Sequence, residues 1–296
     1  MRFGLIGTGP WASMVHGPGL AAAPEVELVG VWGRSAERRN ALAADLGAPA
    51  YDAAAALFAD VEAVAFAVPP DVQADLALQA AAAGCHLLLE KPVATSVEGA
   101  RAVRDAADRA GVSSVVFFTD RFIASSRAWF DEVQATQGWR GGWLRWFSAL
   151  EDPANPFGAS PWRHEKGALW DIGPHAISTL TAGLGPVTAV RAVGGERDLV
   201  VLTLTHESGA TSTATLTAYA PLPATGFDAG VWGEAGVLPM PPRPNDANLE
   251  AFQVAAAELV AAVAHGRRHP ADLALGTHVV ELLADAAAQL ATRKKG

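Results

Sequence analysis

The 296-residue chain has one cysteine, two tyrosines and three methionines. A single thiol, Cys85, cannot close an internal disulfide, which excludes a disulfide scaffold and fits a reducing compartment, the cytoplasm. No run reaches the ~18 consecutive apolar residues of a membrane span. Met1-Arg2-Phe3 enters apolar sequence at once, but Pro10 and paired glycines interrupt it. Neither a membrane helix nor a secretory signal is therefore expected. Positive charge is also scarce: 22 Lys+Arg against 31 Asp+Glu give a net charge of −9. That excludes a broad nucleic-acid surface, which needs concentrated positive charge. Metal signatures are missing as well. His164-Glu165 is followed by Ala168 where H-E-x-x-H requires its second histidine, there is no cysteine cluster, and no metal is expected. No G-x-S-x-G elbow occurs either. Lysine is rare, with four in the chain: Lys91, Lys166, Lys294 and Lys295.

What is abundant is apolar sequence, at 50%, with 18% charged residues, enough for a sizeable core and, at this length, for two domains. Residues 1–120 alternate short apolar runs with alanine-rich helical stretches, the pattern of βαβ units. Strands are expected at Arg2–Ile6, Val26–Trp32, Val61–Val68, His86–Glu90 and Val112–Thr119. Helices are expected at Trp11–Ala23, Ser35–Leu46, Asp71–Ala83 and Ser96–Ala110, with Gly47, Gly84 and Gly111 as stops. The strands are almost continuously apolar, as in a parallel sheet buried on both faces. Residues 121–296 form the second expected domain, its closing helices able to pack back on the first. Here the pattern predicts a helix at Ser125–Gln137, a strand at Trp143–Ala149 and a helix at Ala168–Gly183. Strands follow at Val187–Val193, Leu199–His206 and Ala210–Tyr219, the last two joined by a Glu207-Ser208-Gly209 turn. Pro221–Pro244 resists assignment. Helices at Ala247–His265, with Leu249, Phe252, Leu259 and Val263 as its apolar stripe, and at Asp272–Thr292 close the chain. Arg293, Lys294 and Lys295 suit the negative end of that last helix.

Gly7-Thr8-Gly9-Pro10-Trp11-Ala12 is a G-x-G-x-x-A segment between a strand and a helix. Gly7 permits a tight turn, Gly9 close backbone approach to a pyrophosphate, and Ala12 close packing of the helix, whose N-terminus favours phosphate. An NAD site usually carries Asp or Glu at the end of the second strand. This chain has Trp32-Gly33-Arg34-Ser35 there, with no acid before Glu37. Arg34 and Ser35 suit a 2′-phosphate, and Arg38 and Arg39 add charge, so NADP is favoured over NAD. Ligands meet the carboxyl ends of such strands, which places Pro69 and Glu90-Lys91 beside the cofactor.

Lys91 lies in Glu90-Lys91-Pro92 directly after a buried strand, where its ammonium can donate to a substrate oxygen. Asp171 and His175 stand i,i+4 in Trp162–His175, a spacing that brings a carboxylate to an imidazole on one helix face and makes His175 a general acid–base candidate. Six of nine tryptophans lie between 129 and 170. They suit either stacking on sugar faces or plain packing, the latter favoured for Trp143 and Trp146 on their strand.

These segments, in this order, resemble the Gfo/Idh/MocA oxidoreductase family. The resemblance covers most of the chain and is strongest in Phe3–Ala12, Val64–Pro92 and Trp162–His175. It implies an N-terminal Rossmann domain with a doubly wound parallel sheet, then an α/β domain with an open, mostly antiparallel sheet. It implies a nicotinamide cofactor, hydride transfer to or from a sugar, cyclitol or related alcohol or carbonyl, and a homodimer or homotetramer. It carries the catalytic roles onto Lys91, Asp171 and His175, and substrate contacts onto Arg121, Trp162, Arg163, Asp171 and His175. Three positions depart from the pattern: Glu165-Lys166-Gly167 where a glycine run is common, Gln73 where histidine is common, and Asp120 where asparagine is common. The rival readings are a dinucleotide-binding regulator or scaffold without turnover, and an imine or keto-sugar reductase.

Overall fold

A computed structural model describes Met1–Pro244 and Asp246–Arg293, without the Arg293 side chain. Lys294 and Lys295, expected to complement a helix end, lie outside the described residues. The chain forms β1 (Arg2–Ile6), α1 (Gly17–Ala22), β2 (Glu27–Trp32), α2 (Ala36–Asp45), β3 (Ala50–Tyr51), α3 (Ala54–Asp60), β4 (Ala63–Phe66), α4 (Pro70–Ala82), β5 (His86–Leu89), α5 (Val97–Ala110) and β6 (Ser114–Val116). It continues with α6 (Ala124–Ala135), β7 (Trp139–Phe147), α7 (Pro161–Asp171), α8 (Gly173–Leu184), β8 (Val187–Gly194), β9 (Val200–His206), β10 (Thr211–Thr217), β11 (Gly226–Gly233), β12 (Gly236–Pro239), α9 (Ala247–His265) and α10 (Leu273–Arg293). Two compact units result. One is Met1–Phe122 with Asn245–His278, the other Ile123–Pro244 with Val279–Gly296.

The first unit holds a six-stranded sheet of order β3-β2-β1-β4-β5-β6, parallel throughout. This is the doubly wound order whose chain reversal between β1 and β4 opens a ligand crevice. Phe3, Ile6, Phe66, Leu87, Leu88 and Leu89 are fully buried, each side chain contributing about 1.5–3 kcal/mol by leaving water. The helix caps are written in the sequence: Ser35 accepts from Arg38 N–H, Ser96 from Gly99 N–H, and Gly111 closes α5 at φ 68°. β3 and α3 were not expected, being too short to register as periodic sequence. The helix expected from Trp11 begins with a widened π-turn at Ala12–His16 before becoming α1.

α9 packs on α1, β5 and β6. By length and mean hydropathy, 1.3 and 1.2, α9 and α10 pass for membrane spans. In α9, however, Ala251, Phe252, Ala255, Ala256 and Leu259 are fully buried, as in a core helix. Leu249, expected on that stripe, is 37% exposed. The edge of β6 is capped by the chain before α10. Val116 N–H donates to the Ala271 carbonyl (2.7 Å) and Leu273 N–H to Ser114 Oγ (3.1 Å).

The second unit is a mixed, mostly antiparallel sheet of order β12-β11-β7-β10-β9-β8, with β7 and β10 its parallel pair. α8 packs on β7 and β10, burying Leu144, Ala214 and Leu216. The residues alternating with these, including Trp143, Arg145, Thr213, Thr215 and Trp232, lie on the opposite face. The unassigned stretch after Pro221 is the β11–β12 hairpin.

Candidate active site

The first unit presents the glycine turn. β1 ends at Ile6, and Gly7 turns at φ +127°, where a Cβ would collide with the Ala67 carbonyl. A Cβ on Gly9 would meet nothing within 4 Å, so open space lies against the backbone at the helix start. Ala12 is fully buried. A dinucleotide pyrophosphate needs a tight turn, an unobstructed glycine and a helix N-terminus together, and Gly7-Thr8-Gly9-Pro10 supplies them.

At the end of β2 the three arginines part ways. Arg34 and Arg38 are exposed. Arg39 is 8% exposed and bound to the Gly33 carbonyl (3.3 Å) and to Asp52. Arg39 therefore braces the turn and adds no charge for a phosphate, contrary to expectation. Ser35 Oγ caps α2.

At the end of β5, Lys91 is 9% exposed and its bond to Pro92 is cis. Glu90 and Trp11, both expected beside the cofactor, bind each other. Trp11 Nε1–H donates to Glu90 Oε1 (2.6 Å), and His16 Nε2 lies 2.9 Å from the same oxygen. His16 is itself buried against Phe252, ring centroids 4.0 Å apart. The glycine segment and the Lys91 segment are thus joined through one carboxylate. Pro69 leads into α4, whose Gln73 reaches the Glu90 backbone. Arg121 sits in a 3-10 turn after β6, and burial pushes its guanidinium pKa down to about 10. Asp120 beside it is 1% exposed.

The second unit presents the other segment. The helix expected over Ala168–Gly183 is two, because Pro174 lacks an N–H and α8 restarts at Gly173. Asp171 ends α7 and His175 lies in the first turn of α8. Ile172 between them keeps helical angles (φ −96°, ψ −37°), and Ala176 N–H still donates to its carbonyl (3.2 Å). The i,i+4 relation therefore survives the break. Arg163 Nε–H donates to Asp171 Oδ2 at 3.0 Å, and its guanidinium stacks on Phe157 and Trp162. His175 is 8% exposed, with its ring 5.5 Å from that of Trp146. Arg243 covers Trp146 at 4.1 Å. Trp146 is therefore a packing partner of His175 and Arg243, as its place on a strand suggested. Lys166 pairs with its neighbour Glu165 (3.3 Å).

Asp198 was not foreseen. Within α7, Gly167 breaks the helix at φ 65°, and the turn that leads to Asp171 starts at Ala168. Asp198 Oδ2 accepts from Ala168 N–H (2.9 Å), while Oδ1 accepts from Thr217 Oγ1 (2.6 Å). It stands 30 residues from the helix it caps, where no local signal could show it.

A glycine turn at the head of a 3-2-1-4-5-6 sheet defines a dinucleotide-binding α/β protein. Residues 1–118 match the model of the oxidoreductase family with an NAD-binding Rossmann fold, and residues 134–238 match the Gfo/Idh/MocA C-terminal domain. The chain belongs to the Gfo/Idh/MocA oxidoreductase family. It is 32% identical over 222 residues to D-xylose 1-dehydrogenase (NADP(+)) 2 of Haloferax volcanii, covering 72% of this chain and 68% of that one. It is 33% identical over 144 residues to levoglucosan dehydrogenase of Pseudarthrobacter phenanthrenivorans, covering 45% of this chain and 36% of that protein's length. The fold is that of a putative myo-inositol dehydrogenase from Sinorhizobium meliloti, at TM-score 0.85 and 20% identity over 99% of this chain and 98% of that one.

Proposed function

We propose that the protein is an NAD(P)-dependent oxidoreductase of a sugar, cyclitol or related alcohol. The observation that carries this is the open, Cβ-free approach at Gly9 in a unit that also places Lys91 two residues past the end of β5. A nicotinamide bound there supplies the acceptor or donor of hydride. His175 takes the proton of the substrate hydroxyl in the oxidising direction and returns it in the reducing one. Asp171, its carboxylate anchored by Arg163, orients the imidazole and balances its charge. Lys91 donates an N–H to a substrate oxygen. Arg121, Trp162 and Arg163 serve the substrate. Relatives named for xylose and levoglucosan support a sugar.

Arg34, exposed where an acid is usual, supports NADP as the preferred cofactor, with Ser35 and Arg38 beside it. The sheet face opposite α8 supports self-association as a dimer or tetramer. The lone buried thiol, its pKa raised to about 11 by burial, suits the cytoplasm.

The test is turnover of NADP or NADPH on a panel of aldoses, anhydrosugars, cyclitols and their ketones. Turnover is expected, with Lys91→Ala and His175→Ala each lowering kcat by about 10²- to 10⁴-fold while cofactor Kd stays within about twofold. Cofactor binding without turnover on the whole panel would identify a regulator instead.

A further inference from the structure

We propose that Gln73 is the positioning residue for Lys91, holding the backbone on both sides of it. The inference rests on Lys91 acting on a substrate oxygen. Gln73 lies in the first turns of α4, and its side chain is fully buried. Its Oε1 accepts from Glu90 N–H at 2.8 Å, and its Nε2 donates to the Glu90 carbonyl at 2.8 Å. The same Nε2 lies 3.3 Å from the Pro92 carbonyl and 3.4 Å from that of Val93.

This arrangement continues a ladder that the sheet has stopped. β4 pairs with β5 as far as Leu88, and β6 as far as Leu89. Glu90 has no strand on which to place its N–H and C=O. The primary amide of Gln73 offers a donor and an acceptor side by side, as a neighbouring residue would in a hydrogen-bonded strand pair. Buried peptide groups without partners cost free energy, so the segment follows the amide. Glu90 is fixed before Lys91, and Pro92 and Val93 after it. Lys91 N–H faces Glu90 Oε2 at 3.2 Å, an oxygen of the carboxylate that also holds Trp11 and His16. The Cα of Lys91 is then set by two side chains, Gln73 and Glu90.

A positioning role differs from a packing role in what it should disturb. Gln73→Met keeps the volume and removes every donor and acceptor. With the substrate found on the panel, kcat is expected to fall about 10- to 100-fold, as for an ångström-scale displacement of a catalytic group. KM and cofactor Kd are expected to stay within about threefold, with a raised primary isotope effect from C–H-deuterated substrate. Wild-type kcat in Gln73→Met, or a proportionate loss of kcat, cofactor binding and thermal stability, would overturn the role. If Gln73→Met does not fold, Gln73→Glu decides. It keeps the shape and the acceptor for Glu90 N–H but loses the amide N–H for the Glu90, Pro92 and Val93 carbonyls, so kcat at least about fivefold lower is expected, and wild-type kcat overturns the proposal. Lys91→Ala, measured in parallel, separates the two readings. Its full turnover would remove the role of Lys91 and this inference with it, whereas full turnover in Gln73→Met alone removes only this inference.

Discussion

Arg34 and Arg39 stand five residues apart with the same charge and different tasks. The first is exposed at the strand end; the second is buried on Asp52 and the Gly33 carbonyl. Composition near a motif therefore overstates the charge available to a ligand. Arg34→Ala is expected to lower kcat/KM for NADP by about tenfold, the loss of one charge-assisted contact, and to change that for NAD less than about twofold. Equal effects on both cofactors in steady-state kinetics would remove the 2′-phosphate assignment. His206 shows the same principle in a core. It is 2% exposed, with Nδ1–H donating to the Gly185 carbonyl (2.8 Å) and Nε2 2.7 Å from Ser212 Oγ. Burial holds its pKa below the usual 6.5, against the opposing pull of that carbonyl. The unfolded chain then binds the proton more readily. Stability is full above pH about 6.5 and is lost as pH falls through the depressed folded value. Melting temperature between pH 7.5 and 5 should show a slope that His206→Gln reduces; an unchanged slope would clear His206 of any part in it.

At the scale of elements, the reading of α7 and α8 shows what local sequence can and cannot say. Ala168 as the onset of the helical turn that leads to Asp171 was legible, whereas the restart of α8 at Gly173 before His175 was not. The cap was not legible either, because Asp198 arrives from the turn before β9. Asp198→Ala removes the acceptor of Ala168 N–H and of the Thr217 hydroxyl. It is expected to cost about 1–3 kcal/mol by denaturant unfolding and to lower kcat through the loosened Asp171 segment. Stability lost with kcat intact would make Asp198 purely structural. The strands of the first unit were legible because both faces are apolar. β7 begins at Trp139, four residues before its expected start, because Gly141-Gly142 looks like a break. β11 and β12 were hidden by prolines on either side of them. The candidate site divides in the same way. Gly7, Gly9, Lys91, Asp171 and His175 stand in motifs, whereas Gln73, Asp198 and Trp146 act through hydrogen bonds or packing that only the fold creates.

At the scale of the whole molecule, the second sheet carries an apolar surface of its own. Val193, Trp232 and Val237 are 47%, 46% and 67% exposed. They lie on the face opposite α8, with Trp143 hydrogen-bonded to Asp228 (2.7 Å) between them. Trp232 and Val237 are cross-strand partners, and an exposed apolar pair on a sheet face is the surface proposed for self-association. Sedimentation should give a mass of two or four times 30.6 kDa, and Trp232→Glu with Val237→Glu should reduce it. A monomer in the wild type would remove the assembly proposal.

The first unit is closed by residues that come late. His16 and Phe117 rest on Phe252 of α9, and the edge of β6 on Ala271 and Leu273. Some 120 residues of the other unit are made in between. At roughly 5–20 residues per second, a nascent chain carries a finished parallel sheet with an uncovered aromatic flank for about 6–25 seconds. During that interval the β6 edge and the Phe117 flank lack the cover that the finished fold gives them, the condition under which strand edges and apolar surface favour aggregation.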